Sequence, residues 1–248
     1  MSPAMRSMVL ATLVAEGAAF AETDFSLYTG TSSTRDSDLH VRQAGTATDV
    51  TLGDVAWDAK PFRPAPYYGL RLTHFFERHP NWGAALDFTH YKIYAKTGRP
   101  VDVVGTWQGA SVATTAEMSR YVQRFEISHG VNLLSINALY RWRGSAGDRL
   151  QPYVGAGLGH YLLHAENVVA DRSQETGYQS SGFGYQVLGG IHYRVSEKFG
   201  AFVETKFDRG TAKVDVADGT AQTRLRSCAR LRHVRGVPPI AGRSRNRQ

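Results

Sequence analysis

Seven runs of alternating polarity divide the chain, and the connections between them are short and long in turn. The runs are Phe25–Thr31, Tyr67–Phe76, Trp82–Tyr94, Phe125–Trp142, Gln151–Val168, Phe183–Val195 and Phe199–Asp208. ERHPN (77–81), RGSAGDR (143–149) and SEK (196–198) are tight, whereas 32–66, 95–124 and 169–182 are long and polar. A soluble sandwich has no reason to sort its loops by parity. An up-and-down barrel in a bacterial outer membrane does, with tight periplasmic turns on one rim and long external loops on the other. Several runs also reach the roughly ten residues that a tilted strand needs to cross a bilayer. The expected fold is therefore all-β, an eight-stranded antiparallel up-and-down transmembrane barrel.

The faces agree. Tyr68, Leu70, Leu72 and Phe76 share one side of a run, opposite Gly69, Arg71 and Thr73. Leu134, Ile136, Ala138, Tyr140 and Trp142 oppose Ser135, Asn137 and Arg141, and Val203, Thr205 and Phe207 oppose Glu204, Lys206 and Asp208. A soluble lipocalin-like barrel would turn the apolar side inward. A membrane barrel turns it to lipid and packs Arg71, Asp87, Arg141, Arg194, Glu204 and Lys206 into the lumen, where lone ions are too costly and the charges must pair. Trp82, Tyr140, Trp142 and Tyr193 lie beside short turns, as an aromatic girdle should.

An even-stranded barrel needs an eighth strand after a loop near 213–222, ending in an aromatic residue. The chain instead reads TRLRSCARLRHVRGVPPIAGRSRNRQ over 223–248. As a strand it would place Leu225, Ser227, Ala229 and Leu231 on one face and Arg224, Arg226, Arg230 and Arg232 on the other. Either orientation is electrostatically poor. The closing strand is thus in doubt. The switch to Arg, Ala, Gly and Pro suits a G+C-rich gene read out of frame, and a genuine basic tail is the other reading. The barrel is expected over 22–222.

Composition narrows the setting. Arg6, the apolar stretch Met8–Phe20 and the Ala19-Phe20-Ala21 site predict a secretory signal peptide over 1–21. No stretch resembles a transmembrane helix. Residues 22–223 lack cysteine, so disulfides do not hold the fold. The net charge of +7 contains eight arginines from 224–248, which leaves −1 for the remainder. The basic balance belongs to the tail, and no nucleic-acid partner is expected.

One run changes character. In QPYVGAGLGHYLLHAENV (151–168) the even positions begin Val154, Ala156, Leu158 and end His160, Leu162, His164, Glu166. If the run rises from a periplasmic turn, its upper part lies beside the lipopolysaccharide head groups. The neighbouring runs change likewise, which gathers His90, Lys92, Glu126, Ser128, Asn132, His160, His164 and Glu166 on one outward, upper patch, with Arg124 in the same phase of its run. The bland alternative is that these residues are simply solvated above the membrane. Histidines with carboxylates suit a divalent metal or a general base, though no spacing specifies the metal. Lys92 and Arg124 suit sugar phosphates. Ser128 and His129, as sequence neighbours on a strand, are expected to point to opposite faces.

PYYGLRLTHFF (66–76), WGAALDFTHYKIYA (82–95), HGVNLLSINALYRW (129–142) and QPYVGAGLG (151–159) resemble, in order and spacing, the small outer-membrane barrels of the lipid A oxidase family. The likeness covers roughly 24–215, and 223–248 departs from it. It implies an O2-dependent enzyme that oxidises the proximal glucosamine of lipid A to 2-aminogluconate. It brings no residue roles with it. From the patch itself, His90 or His164 is the candidate base and Glu126 or Glu166 its orienting partner. Lys92, Arg124, Ser128, Asn132 and His160 are candidates to bind the substrate, with O2 as co-substrate and a divalent metal ion as electron relay.

The rival reading is a non-catalytic structural barrel, which needs only the lumen plug and the girdles. Deacylase-type His-x-Ser pairs are missing from the upper halves, and eight strands leave no room for a porin channel. Expected partners are lipopolysaccharide, outer-membrane lipid and the barrel-assembly machinery.

Overall fold

The computed structural model describes residues 22–60, 65–143, 149–196 and 199–237. The expected signal peptide over 1–21, parts of two tight turns and the tail from 238 lie outside them. In chain order the strands are β1 (Glu22–Thr34), β2 (Ser37–Gln43), β3 (Thr48–Val55), β4 (Trp57–Asp58), β5 (Tyr68–Phe76), β6 (His79–Ala95), β7 (Pro100–Trp107) and β8 (Ala110–Glu117). There follow β9 (Val122–Arg141), β10 (Leu150–Val169), β11 (Arg172–Glu175), β12 (Gln179–Arg194), β13 (Gly200–Val216) and β14 (Gly219–Val237).

Eight of these make a closed antiparallel ring in the order β1-β5-β6-β9-β10-β12-β13-β14, and β14 pairs back onto β1. Closure leaves the ring no open edge. The long connections are not irregular loops: β2, β3, β7 and β8 extend the sheet beyond the upper end of β14. Strands such as β9 and β10, 20 residues each, are about twice the length needed to cross a bilayer, so the barrel projects well above it.

The lower half is inside-out relative to a soluble protein. Outward positions carry Ile136 (69 % exposed), Leu158 (71 %) and Phe183 (80 %), with Leu72, Leu134, Val187, Val203 and Phe207 among their exposed neighbours. Trp82, Tyr140 and Trp142 pack edge to face by the short-turn rim. Inward positions hold charge. Arg71 donates from Nε and Nη2 to Asp87 Oδ2 at 3.0 and 2.8 Å, and from Nη1 and Nη2 to Glu204 at 2.7 Å each. Lys206 Nζ donates to Asp87 Oδ2 at 2.6 Å, Tyr28 to Asp87 Oδ1 at 2.5 Å and Tyr153 to Glu204 Oε2 at 2.7 Å. Nearer the lower rim Arg141 pairs with Glu22, and higher up Tyr91 and Tyr161 donate to Asp208 at 2.9 and 2.8 Å. The distribution is that of a membrane barrel with an ion-pair plug.

Above the belt the pattern reverses within single strands. On β10 the buried inward residues become Tyr161, Leu163 and Ala165; on β13 they become Ala212, Val214 and Val216. Together with Leu39, Val41, Val50, Leu52, Phe125 and Ile127 they form an ordinary apolar core inside the projecting half.

The closing strand exists, and it runs through the segment set apart as a tail, so the boundary expected at 222 falls inside β14. Val214 and Asp215, expected in a loop, are strand residues paired to Ala221 and Thr220. Small and apolar Ala221, Thr223, Leu225, Ser227, Ala229 and Leu231 face inward, while Arg224, Arg226 and Arg230 face outward. Ser227 joins the plug by donating to Tyr91 Oη at 3.2 Å. Arg230 lies opposite Thr205, between the levels of the lipid-facing Val203 and Phe207.

Two substitutions probe this arrangement. Arg71→Met leaves Asp87 and Glu204 without their shared cation and should destabilise the barrel by about 3–5 kcal/mol. Arg230→Leu removes a lipid-facing cation and should stabilise it by about 2 kcal/mol. Urea unfolding in lipid vesicles measures both.

Candidate active site at the outer rim

The candidate site forms where β6, β9 and β10 leave the apolar belt, and a fault in strand pairing builds it. Tyr91 and Ile93 of β6 oppose Val131 and Ile127 of β9, so the one residue between them faces three. The same surplus appears on the other side, where His164 and Glu166 of β10 oppose Gly130 and Glu126. Ser128 and His129 are therefore unpaired in both ladders, with Gly130 beside them paired only to His164, and the bulge re-aims their side chains. Gly130 sits at φ 132°, a conformation that side chains strain against. A Cβ there would lie 2.4 Å from His90 Cε1.

The bulge corrects the expectation that Ser128 and His129 point apart. Ser128 Oγ donates to Glu166 Oε1 at 3.1 Å, and His129 Nδ1 lies 3.0 Å from the same oxygen. Arg124 Nη1 reaches Glu166 Oε2 at 3.3 Å. Glu166 thus collects three of the patch's polar groups.

His90 is held more tightly than expected. It is 4 % exposed, stacks on Tyr68 at 4.8 Å between ring centroids, and binds Asn132 Oδ1 through Nδ1 at 2.8 Å. Asn132 in turn donates to Leu162 O at 3.2 Å. His90 Nε2 is buried with no hydrogen-bond partner among the described residues. Lys92 and Asn132, expected beside head groups, are only 7 % and 6 % exposed. They keep their outward phase, but described residues between β3 and β5 approach this side, Ala65 among them in the cavity wall. There β4 pairs with the upper end of β6, and Lys60 Nζ lies 4.2 Å over the Tyr94 ring.

The result is a cavity of about 410 Å³ lined by His90, Lys92, Glu126, Ser128, His129 and Glu166 among others. That is within the usual range of about 300–1,000 Å³ for small-molecule sites. Two bases, two carboxylates and one ammonium converge on it, enough to take a proton from a hydroxyl and to hold an anionic substituent. Arg124 joins only through Glu166. His160 lies apart, bonded to Ser180 Oγ at 2.8 Å and packed on Phe183. His164 does not line the cavity. It stacks on His129, 4.4 Å between centroids, and its Nε2 is 3.5 Å from Glu175 Oε1. Sequence reasoning missed His129 and Glu175; the available signal was Gly130, isolated inside a strand pattern, which marks a bulge.

Compared with protein-family models and with curated protein sequences, the chain matches none. Among solved structures it is similar to the outer membrane protein OprG from Pseudomonas aeruginosa, at 12 % identity over 85 % of this chain and 90 % of that one, with a TM-score of 0.41. It is also similar to AlkL, an outer membrane protein, at 12 % identity over 98 % of this chain and 99 % of that one, TM-score 0.41. Neisserial surface protein A matches at 16 % identity over 88 % of this chain and 99 % of that one, TM-score 0.36.

The bulge is testable by itself. Gly130→Ala should cost about 1–3 kcal/mol in strained backbone and push the His90 ring off Asn132. Histidine NMR resonances of the variant should move for His90 and stay fixed for His40, which lies on β2.

Proposed function

We propose that the protein is an outer-membrane, O2-dependent lipid A oxidase acting on the proximal glucosamine. The observation that carries the reading is the polar, two-base cavity on the outward face, just above the apolar belt. A lipid A head group held in the outer leaflet would meet the protein at that height.

The reaction needs a free anomeric hydroxyl on the proximal sugar. His90 Nε2 takes the proton of that hydroxyl. The hydrogen and electron pair on the anomeric carbon pass to O2 and His90 returns its proton to the resulting hydroperoxide, so the hemiacetal becomes a lactone and O2 becomes hydrogen peroxide. Water then opens the lactone to the 2-aminogluconate, with a net gain of one oxygen. Glu126 and Glu166 fix the surrounding donors and acceptors, and Lys92 holds a phosphate or the developing charge on reduced oxygen. Arg124, Ser128, Asn132 and His160 are the further substrate-side candidates; Asn132 acts by orienting His90. A bound divalent ion would supply the electron relay that a site without a flavin needs. Lipopolysaccharide is then both substrate and surrounding solvent. Export by a signal peptide and insertion by the barrel-assembly machinery complete the proposal.

The test is the mass spectrum of 1-dephosphorylated lipid A from an outer-membrane host with and without the expressed chain. A gain of one oxygen on the proximal sugar, in air only, is expected, and His90→Gln should lose it while the barrel still inserts. An unchanged spectrum from a chain folded in the membrane would sink the oxidase and leave the non-catalytic structural barrel.

A further inference from the structure

Beyond the cavity, on the same outward face, three side chains converge that the proposed proton transfer does not use. His129, His164 and Glu175 place one potential ligand atom each within 4.8 Å of the others. Two strands and the bulge bring them together. Glu166 and Glu175 are direct partners in the antiparallel β10–β11 pair, and His164 is two residues from Glu166 on the same face. The bulge then swings His129 over His164.

Three independent features ask for a cation there. Like charges directly opposite each other on a sheet repel, yet Glu166 and Glu175 are so placed. His164 has a side chain only 17 % exposed, and neither of its ring nitrogens has a hydrogen-bond partner among the described residues. An imidazole always carries at least one N–H or lone pair to satisfy. Finally, Glu166 Oε1 lies against His129 Nδ1 at 3.0 Å. That is the outer carboxylate that orients a ligating imidazole and leaves its other nitrogen to the ion.

We infer that His129, His164 and Glu175 bind a divalent first-row transition ion, with Glu166 as the positioning residue. Two imidazoles and one carboxylate with open positions are the donor set of non-haem iron(II) sites, and cobalt(II) is accepted by the same ligands. Metal–nitrogen bonds of about 2.1 Å hold neighbouring donors about 3–4 Å apart. The 3.5 Å between His164 Nε2 and Glu175 Oε1 already fits, and the exposed Glu175 side chain is free to turn in. Tyr178 borders the far side, its ring centroid 5.1 Å from that of His164 in a T-shaped contact and its hydroxyl donating to His129 O at 3.5 Å.

The site rests on geometry separate from the oxidase reading, and the experiment keeps them apart. The full barrel in detergent is stripped with EDTA and titrated with cobalt(II). Bound cobalt is counted after gel filtration and followed by its visible absorption band. One cobalt per chain with a histidine-ligand spectrum is expected. His129→Ala and His164→Ala should each weaken binding at least a hundredfold. Glu166→Gln should weaken it about tenfold to a hundredfold and shift the band, which loss of a purely structural contact would not do. Heat-modifiable gel mobility checks that each variant is folded, and Glu175→Gln gives a fourth variant if a histidine change prevents folding. Binding that is unchanged in these variants, or absent from the folded wild-type chain, overturns the site. Cobalt bound at His129 and His164 in a chain that leaves lipid A unmodified keeps the metal site and removes the oxidase.

Discussion

Four charges in the lower lumen tie together strands that are remote in the chain. Arg71 on β5 grips Asp87 on β6 and Glu204 on β13, and Lys206 on β13 returns to Asp87. Tyr28 from β1 donates to the remaining Asp87 oxygen, and Tyr153 from β10 adds a second donor to Glu204 Oε2. The network therefore spans the ring. Its energetic sense is set by the narrow lumen: each ion is costly alone, and only near-complete hydrogen bonding makes the set tolerable. With the interior filled by charge, the apolar side chains have only the outside left to occupy, and they form the lipid-facing belt.

That constraint ends where the lipid ends. Above the belt the outer surface meets polar surroundings, the interior turns apolar, and the same strands exchange faces between Gly159 and Tyr161 or between Asp208 and Ala212. At the crossover, polar residues already face outward while the sheet is still wrapped by neighbouring chain. A polar cavity can form at the edge of a membrane only in such a place. The bulge at Ser128 and His129 sits there, where both ladders tolerate extra residues because the inward Ile127 and Val131 remain packed in the upper core.

β14 is the exception to the exchange. It carries small and apolar residues inward and arginines outward along its described length, including Arg230 at belt depth. The small inward side chains fit beside the plug without adding charge, which resolves the excess of lumen cations that the opposite orientation would create. The cost is moved to the lipid side, where Thr29 and Thr31 of β1 lie close by on the adjoining strand. Arg209 of β13, outward beside Tyr185 and opposite Arg226, lies next to this row, so the outward arginines of β13 and β14 form a basic seam, in keeping with either a shifted reading frame or a specialised surface.

The sequence by itself determined seven strands of the ring and left the eighth open. Period-two alternation from Tyr68 to Phe207 and the parity of the connections specify strands, their direction and which face meets lipid, because these depend on local chain geometry and on solvent alone. It also determined that His90, Lys92, Glu126, Ser128, Asn132, His164 and Glu166 share an outward phase. Only the tertiary structure decided what that phase becomes. The surroundings of His90 and Lys92 depend on residues remote in sequence: Tyr68 stacked on His90, Asn132 bonded to it, and Ala65 in the cavity wall. The joining of Ser128 and His129 at Glu166 depends on a register offset, which strict alternation assumes away. The orientation of β14 was likewise open, since its two faces could be ranked only against a lumen whose cations were already matched.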